Sequence, residues 1–105
     1  MNQFFVVFGT DKPGTQATRL RLRPWHRAHL RAPGRHEVIV RLGGPTLEES
    51  GQAMNGTLLV IEAAEQGDVE AFMRDDPYVQ AEMFSRLEIR LWNWSLGNPE
   101  VRGQA

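Results

Sequence analysis

Two residues far apart in the sequence, His26 and Asp76, have the side chains of a proton-transfer pair. A histidine has a reference pKa of about 6.5, so it can accept or release a proton near neutral pH. A carboxylate on one ring nitrogen fixes which nitrogen carries the proton and stabilises the charged ring. If the fold brings the two side chains together, His26 can act as a general acid or base and Asp76 can orient it.

Each residue also has a purely structural explanation. Asp76 directly precedes Pro77, and an aspartate followed by a proline is typical of a helix start, where the carboxylate accepts backbone N–H groups of the first turn. His26 could be a half-buried polar residue that is satisfied within the fold. Because a carboxylate has two oxygens, Asp76 could cap a helix with one and orient His26 with the other.

Residues near His26 could bind the acidic part of a substrate. Arg19 and Arg23 are four apart and share one helical face, where they could hold a carboxylate or another anion between them. Arg23 is the better candidate because it lies within one turn of His26. Gly44 could bring backbone close to a ligand, and Tyr78 could line the pocket with its hydroxyl group. The alternatives are a solvated basic face for the arginines, a strand end for the glycine and helix packing for the tyrosine.

Several other chemistries have no support in the sequence. The chain has no cysteine, which excludes disulfides, thiolate zinc sites and a cysteine nucleophile. His26, His29 and His36 form neither an H-x-x-x-H nor an H-E-x-x-H pattern, so we expect no metal site. Neither of the common glycine-rich phosphate-binding motifs and no G-x-S-x-G elbow occurs. We therefore predict chemistry that needs no cofactor.

The composition is that of one globular domain of 105 residues, 41% of them hydrophobic and 24% charged. Residues 19–41 hold seven arginines against one acid, whereas residues 42–82 hold nine acids against one arginine. Such segregation is more typical of a solvated helix facing an acidic surface than of a nucleic-acid site.

The apolar residues 4–8 are too few for a signal peptide or a membrane span. We expect a cytoplasmic protein that binds neither nucleic acid nor membrane.

The elements that must position the candidate residues follow the order βαββαβ. Alternating and β-branched residues predict strands at 3–8, 37–42, 57–62 and 86–94. Helices are predicted at 15–31 and 63–74, and a short third helix begins at Asp76-Pro77. Pro24 should either kink the first helix or begin its main part, and Gly43-Gly44-Pro45 should end the second strand. The expected apolar stripe of the first helix is Leu20, Leu22, Trp25, Ala28 and Ala32.

This order predicts an α+β, ferredoxin-like fold with a four-stranded antiparallel sheet and both long helices on one face. Residues 1–97 would form the single domain and residues 98–105 a flexible tail. Successive side chains of a strand point to opposite faces, and both faces of the first and third strands are apolar. The helices can cover only one face, so we predict a homodimer in which two open sheet faces pack together.

Five short stretches together resemble the YCII-related family, small proteins of the dimeric α/β-barrel group: Arg19-Leu20, Arg23-Pro24-Trp25-His26, Gly43-Gly44-Pro45, Gly56-Thr57 and Asp76-Pro77-Tyr78-Val79. The resemblance covers nearly the whole chain and implies a dimer with facing sheets. It also implies an active site whose histidine and aspartate correspond to His26 and Asp76, with loss of hydrogen chloride from a small chlorinated acid as one associated chemistry. Glu82 stands where members commonly have glycine, a difference that bears on the pocket shape.

Two hypotheses about function follow. The first is a small-molecule enzyme of the lyase or isomerase type, in which His26 transfers a proton next to an activating carbonyl group of a small organic acid and Asp76 orients it. The second is a non-catalytic dimeric module that binds a small ligand or a protein, with the same residues supporting the fold. Replacing His26 or Asp76 would separate them, because only an enzyme would lose turnover while remaining folded.

Overall fold

A computed structural model describes residues 2–100 of the chain. Its strands are β1 (Gln3–Asp11), β2 (Val38–Leu47), β3 (Met54–Ala63) and β4 (Phe84–Trp92). Its helices are α1 (Gln16–Arg31), α2 (Gln66–Arg74) and the short α3 (Pro77–Gln80). The predicted order of elements is confirmed, including the short helix after Asp76. No helix in this part of the chain has the length and apolar character needed to cross a membrane.

The four strands form one antiparallel sheet in the order β2-β3-β1-β4. The two central strands, β1 and β3, pair directly from Gln3 with Ala63 to Thr10 with Gly56. This is the ferredoxin-like α+β arrangement that the sequence predicts. Because β2 and β4 are the edge strands, each hydrogen-bonds to only one neighbour in the sheet.

The hydrophobic core lies between the sheet and α2. Every second residue of the central strands points towards the helices, so Phe5, Val7, Leu59 and Ile61 are buried. Val69, Phe72 and Met73 of α2 complete this cluster. Each fully buried side chain of this size contributes about 1.5–3 kcal/mol relative to an exposed one. The core is therefore built mainly by α2, which leaves α1 free for another role.

The predicted end of the second strand at residue 42 is wrong. β2 continues through Gly43-Gly44-Pro45 to Leu47 and pairs with β3 throughout. An edge strand tolerates proline because one side of it makes no ladder hydrogen bonds. At Gly43 a Cβ atom would lie 2.8 Å from Cδ2 of Leu59, so glycine allows the two strands to pack closely here. The start of β1 is as predicted, and the other strand ends differ from the predicted ones by one to three residues.

The predicted apolar stripe of the first helix is also wrong. α1 runs without interruption through Pro24, so its main part does not begin there. Its buried residues are Arg19 and His26, whereas Leu20 and Trp25 are 53% and 63% exposed. The polar pair can be buried because carboxylates from other elements contact both side chains. α1 therefore turns a polar face towards the interior.

None of the three helices in the described part of the chain packs on the opposite face of the sheet. Phe8 of β1 and Leu58 of β3 are each 42% exposed on that face, which agrees with the prediction that both faces are apolar. On β4 this face is charged, because Glu88 lies within 3.2 Å of Arg86 and 3.0 Å of Arg90. Of the predicted tail, Glu100 contacts Arg41, and residues 101–105 lie outside the described residues.

Candidate active site

His26 and Asp76 contact each other although 50 residues separate them in the sequence. Nδ1 of His26 lies 2.8 Å from Oδ2 of Asp76 and 3.0 Å from Oδ1. Both residues are buried, with 6% of His26 and none of Asp76 exposed. The backbone N–H of Tyr78 also donates to Oδ1 of Asp76, at 2.8 Å. One carboxylate thus caps α3 and contacts the histidine.

The local sequence explains why Asp76 can do both. Asp76 has the extended backbone (φ −68°, ψ 129°) of a helix-capping residue, and Pro77 occupies the first helical position, where its missing N–H costs nothing. The backbone N–H of Asp76 donates to the carbonyl oxygen of Met73, which ties α3 directly to the end of α2. Hydrogen bonds to residues before and after Asp76 in the chain therefore hold it in the position from which its carboxylate contacts α1.

The contact determines which nitrogen of His26 is available for chemistry. An ionised carboxylate only accepts hydrogen bonds, so Nδ1 must carry a proton. In the neutral ring the free lone pair is then on Nε2, at the opposite edge. Within residues 2–100 His26 makes hydrogen bonds only through Nδ1, and the residue lines a cavity. Nε2 is therefore the nitrogen available to a molecule bound there.

Tyr78 supports the histidine ring. The two rings are stacked, with centroids 4.0 Å apart and an angle of 17° between their planes. The Tyr78 hydroxyl group donates to the backbone oxygen of Arg19 at 3.3 Å. Burial raises the pKa of Tyr78 by more than the Arg19 charge lowers it, and the nearby Asp76 charge also raises it, so the hydroxyl stays protonated as a donor. The ring thus supports His26, while the hydroxyl group bonds within the fold.

Arg19 and Arg23, expected to hold an anion together, have different environments. Nε and Nη2 of Arg19 donate to the two carboxylate oxygens of Asp11, each at 2.8 Å, and Nη2 also donates to Thr57. Its guanidinium carbon lies 4.6 Å from the centroid of the Tyr78 ring. The charge of Arg19 is therefore already paired. Arg23 has no ion-pair partner within residues 2–100 and also lines the cavity.

The cavity has a volume of about 500 Å³ and lies between α1 and β2. Its β2 wall is formed by residues 38–45, and Thr57 and Tyr78 also line it. Gly44 is part of this wall, where a Cβ atom would have no neighbour within 4 Å. Among residues 2–100 no aspartate or glutamate lines the cavity, and five arginines do: Arg19, Arg23, Arg27, Arg31 and Arg41.

The sequence interpretation missed three of these arginines. Arg27 and Arg31 continue the four-residue spacing of Arg19 and Arg23, so the same face of α1 could have been extended to them. Arg41 could not have been found this way because it lies at a register shift in β2, where it contacts Glu62 and Glu100. The pKa of Glu62 is lowered mainly by a hydrogen bond from Asn2, and the hydrogen bond from Arg41 lowers it further.

Glu82 does not line the cavity. It is exposed and has φ of 54°, in the left-handed region that favours glycine. A glycine at this position would therefore relieve the backbone after α3, and the side chain of Glu82 points to solvent. The departure noted in the sequence bears on the stability of this turn more than on the shape of the pocket.

A second histidine and aspartate pair lies just outside the site. Nε2 of His36 is 2.6 Å from Oδ2 of Asp75, which also accepts a hydrogen bond from Arg35. The hydrogen bond to His36 is the largest cause of a lowered pKa at Asp75, with a smaller contribution from Arg35. Neither member lines the cavity. Among residues 2–100 no three His, Cys, Asp or Glu side chains are grouped in a way that could hold a metal ion.

Comparisons with known proteins give one family and several similar structures. The model of the YCII-related domain matches residues 3–93. None of the curated proteins matches the chain. A solved structure of 5-chloro-2-hydroxyhydroquinone dehydrochlorinase from Burkholderia phenoliruptrix, in complex with 2,5-dihydroxybenzoquinone, is 26% identical with a TM-score of 0.72. The alignment covers 86% of this chain and 93% of the dehydrochlorinase.

Two more distant structures share the fold alone. The 30S ribosomal protein S6 from Thermotoga maritima is 11% identical with a TM-score of 0.55, and the match covers 88% of this chain and 89% of that one. A nipsnap family protein of unknown function from Agrobacterium tumefaciens is 13% identical with a TM-score of 0.51, covering 95% and 94%. Because these proteins differ so widely in kind, the fold does not identify the chemistry.

Proposed function

The chain belongs to the YCII-related family, and on that premise we propose that it is a small-molecule enzyme of the lyase or isomerase type that uses His26 to move a proton on a small organic acid. The observation that carries the proposal is the buried contact of 2.8 Å between His26 and Asp76 beside a cavity. A buried pair of this kind is typical of general acid and base catalysis, where environment sets protonation.

The proposed step uses residues that line the cavity or contact His26. Nε2 of His26 removes a proton from a carbon next to a carbonyl group, and the C–H electrons move onto the carbonyl oxygen. Arg23 would hold this negative oxygen, and Asp76 would stabilise the charged imidazole ring. The electrons then return, and in one outcome a leaving group departs with its bonding pair and His26 releases the proton to that group or to solvent. In the other outcome His26 returns the proton at another atom of the substrate. The first outcome is a lyase reaction and the second an isomerase reaction.

The similar dehydrochlorinase supports the choice of first substrates. Its name gives elimination of hydrogen chloride from 5-chloro-2-hydroxyhydroquinone, and its structure holds 2,5-dihydroxybenzoquinone. Both molecules are small rings with several acidic oxygens. We therefore propose 5-chloro-2-hydroxyhydroquinone and related chlorinated or hydroxylated acids as the compounds to test first.

Proton exchange in deuterium oxide tests this function directly. We expect the protein to replace an acidic C–H of its substrate with deuterium, even where no product accumulates, and proton NMR would show the loss of the signal. His26→Gln should abolish the exchange. His36→Gln is the matched control, because His36 also contacts an aspartate but lies outside the cavity, and it should exchange at the wild-type rate.

Two results would count against this proposal. Exchange at the same rate in the His26→Gln variant would exclude His26 as the proton carrier. Compounds that bind equally well to wild type and variant, without exchange or product in either, would favour the alternative of a non-catalytic binding module. Circular dichroism of the variants must first show that they remain folded.

We also propose that two copies pair through the open face of the sheet, where Phe8 and Leu58 are exposed. An apolar sheet face of this kind is normally covered in soluble proteins. Sedimentation at micromolar concentration should give a dimer, and Leu58→Arg should give a monomer. Leu20→Arg, at an exposed leucine of α1, is the control and should remain dimeric. A monomeric wild-type protein would contradict this proposal.

A further inference from the structure

We propose that the substrate is an elongated acid with two anionic groups, one at Arg23 beside His26 and the other at Arg27 and Arg31. This inference rests on the proposed function and adds the class of substrate to it. It comes from the charges and shape of the cavity between α1 and β2. The second group can be a carboxylate or a phosphate, because arginine binds both through the same paired N–H donors.

The charges of the cavity are unbalanced. Arg23, Arg27 and Arg31 line it, no carboxylate does, and none of the three arginines makes an ion pair within residues 2–100. Arg35 and Arg86 do lie within 3.2 Å of a carboxylate, whereas Arg21, outside the cavity, has no such partner within residues 2–100. Like charges four residues apart on a helix repel each other. A bound anion would remove that repulsion.

The spacing of the three arginines favours more than one anionic group. Four residues of α-helix span about 6 Å, so Arg23 and Arg31 are separated by about 12 Å along the axis of α1. One carboxylate cannot contact both ends of this row. Along the axis of α1 His26 lies about 4.5 Å from Arg23 and about 7.5 Å from Arg31, so the reacting carbon would lie between the two ends of the ligand, nearer the end at Arg23.

The opposite wall suits the body of such a ligand. Val38 and Val40 of β2 offer apolar surface, as does Leu30 on the α1 side. The charge of Arg41 on this wall is paired with Glu62 and Glu100. A volume of about 500 Å³ lies within the range of pockets that enclose drug-sized molecules. The cavity therefore matches a molecule with an apolar middle and anionic groups at separate positions.

Binding of simple acids tests the inference without a known substrate. Adipate has two carboxylates, 4-phosphonobutyrate has a carboxylate and a phosphonate, and hexanoate has one carboxylate on a similar carbon chain. Titration calorimetry at low ionic strength should show that at least one of the two dianions binds about tenfold or more tightly than hexanoate, and the tighter of the two identifies the second group. Added potassium chloride should reduce this preference, because salt screens the charges.

The arginine variants locate the effect. The double variant Arg27→Gln and Arg31→Gln should lose most of the preference for dianions while retaining hexanoate binding. Arg21→Gln is the matched control, because Arg21 lies on α1 and also has no ion pair within residues 2–100 but does not line the cavity. Equal binding of all three acids, or an equal loss in the Arg21→Gln variant, would overturn the inference.

The same measurements keep this inference separate from the proposed function. In the His26→Gln variant the preference for dianions should remain, since His26 is not part of the row of arginines. A protein that prefers dianions but never exchanges a substrate proton would contradict the enzyme proposal alone. A protein that exchanges protons but shows no preference would contradict only the substrate class.

Discussion

Asp75 and Asp76 are neighbours in the sequence and each contacts a histidine, yet the two pairs lie in different environments. Asp76 and His26 are buried and His26 lines the cavity. The side chain of Asp75 is 36% exposed, and its carboxylate contacts both His36 and Arg35 outside the cavity. The same two residue types therefore form a candidate catalytic pair in one place and a surface ion pair in the other.

The backbone at the junction of two helices produces this difference. Asp75 ends α2 and Asp76 begins α3, so the two consecutive side chains leave the chain in different directions. The Asp75 side chain reaches Arg35 and His36, just before β2, and the Asp76 side chain reaches His26 on the inner face of α1. The two histidine side chains are almost equally buried, at 7% and 9% exposed, but of the two aspartates only Asp76 is fully buried. Hydrogen bonds are stronger where water is excluded, which favours the inner pair, His26 and Asp76, for holding a histidine against a bound molecule. Environment, rather than residue type, separates the two pairs.

The largest effect should come from exchanging Asp76 for asparagine. Asparagine caps a helix as well as aspartate does, so Asp76→Asn should keep α3 intact. Its amide group can donate to Nδ1 of His26, however, which would move the ring proton to Nε2 and remove the lone pair from the cavity side. We expect turnover to fall on the order of 10²- to 10⁴-fold, measured as kcat or as the rate of proton exchange.

Asp75→Asn is the control for that prediction. It removes the carboxylate that contacts His36 and leaves His26 unchanged, so turnover should not change. An equal loss of activity in both variants would mean that the junction of α2 and α3 acts as one structural unit. The two histidine and aspartate pairs would then not differ in their effect on activity.

A smaller effect, on stability, should distinguish buried and exposed ion pairs in general. Arg19→Met removes the partner of Asp11, whose side chain is almost fully buried. An unpaired buried charge costs about 3–5 kcal/mol of unfolding free energy. Arg35→Met removes an exposed partner of Asp75 and should leave the urea midpoint nearly unchanged. Similar midpoints for the two variants would show that Asp11 finds water or another partner when Arg19 is absent.

Much of the fold could be predicted because it depends on local pattern. Phe5 and Val7 alternate with Phe4 and Val6, which is enough to place β1 in a sheet with two apolar faces. The Asp76-Pro77 step is enough to predict the start of α3. The end of β2 was predicted wrongly because proline and glycine end central strands but are tolerated at a sheet edge, and strand order is not a local property.

The candidate site was predicted less completely because it depends on distant partners. An arginine at position 19 looks like a solvated residue until Asp11 and Thr57 are seen to contact it. The same applies to α1 as a whole, where Leu20 and Trp25 were expected inside and lie at the surface. Burial of a polar face requires carboxylates from other elements, and no spacing within the helix shows where those come from.

Asp75, the aspartate outside the cavity, should make the stability of the protein depend on pH, and this effect should be smaller still. The pKa of Asp75 is lowered in the folded protein, mainly by the hydrogen bond to His36. A lowered pKa stabilises the fold above the unfolded value of about 3.9, and this contribution is lost as the pH falls through the folded value. The wild type should therefore lose more stability than Asp75→Asn between about pH 5 and pH 3, in urea titrations at several pH values. Parallel pH curves for the two proteins would show that Asp75 does not contribute.

The smallest effect concerns the helix that carries Asp76. The backbone of Glu82, two residues after α3, has φ of 54°, which costs an ordinary residue about 1–2 kcal/mol. Glycine has no such cost but loses more chain entropy on folding, so Glu82→Gly should stabilise the protein by about 0.5–1 kcal/mol. Glu82 is exposed and lies outside the cavity, so turnover should stay the same. Thermal unfolding and proton exchange on this variant would separate the stability of α3 from the placement of Asp76. A gain in stability together with a loss of exchange would mean that α3 must move for His26 to work, and the inner pair would then be less rigid than its burial implies.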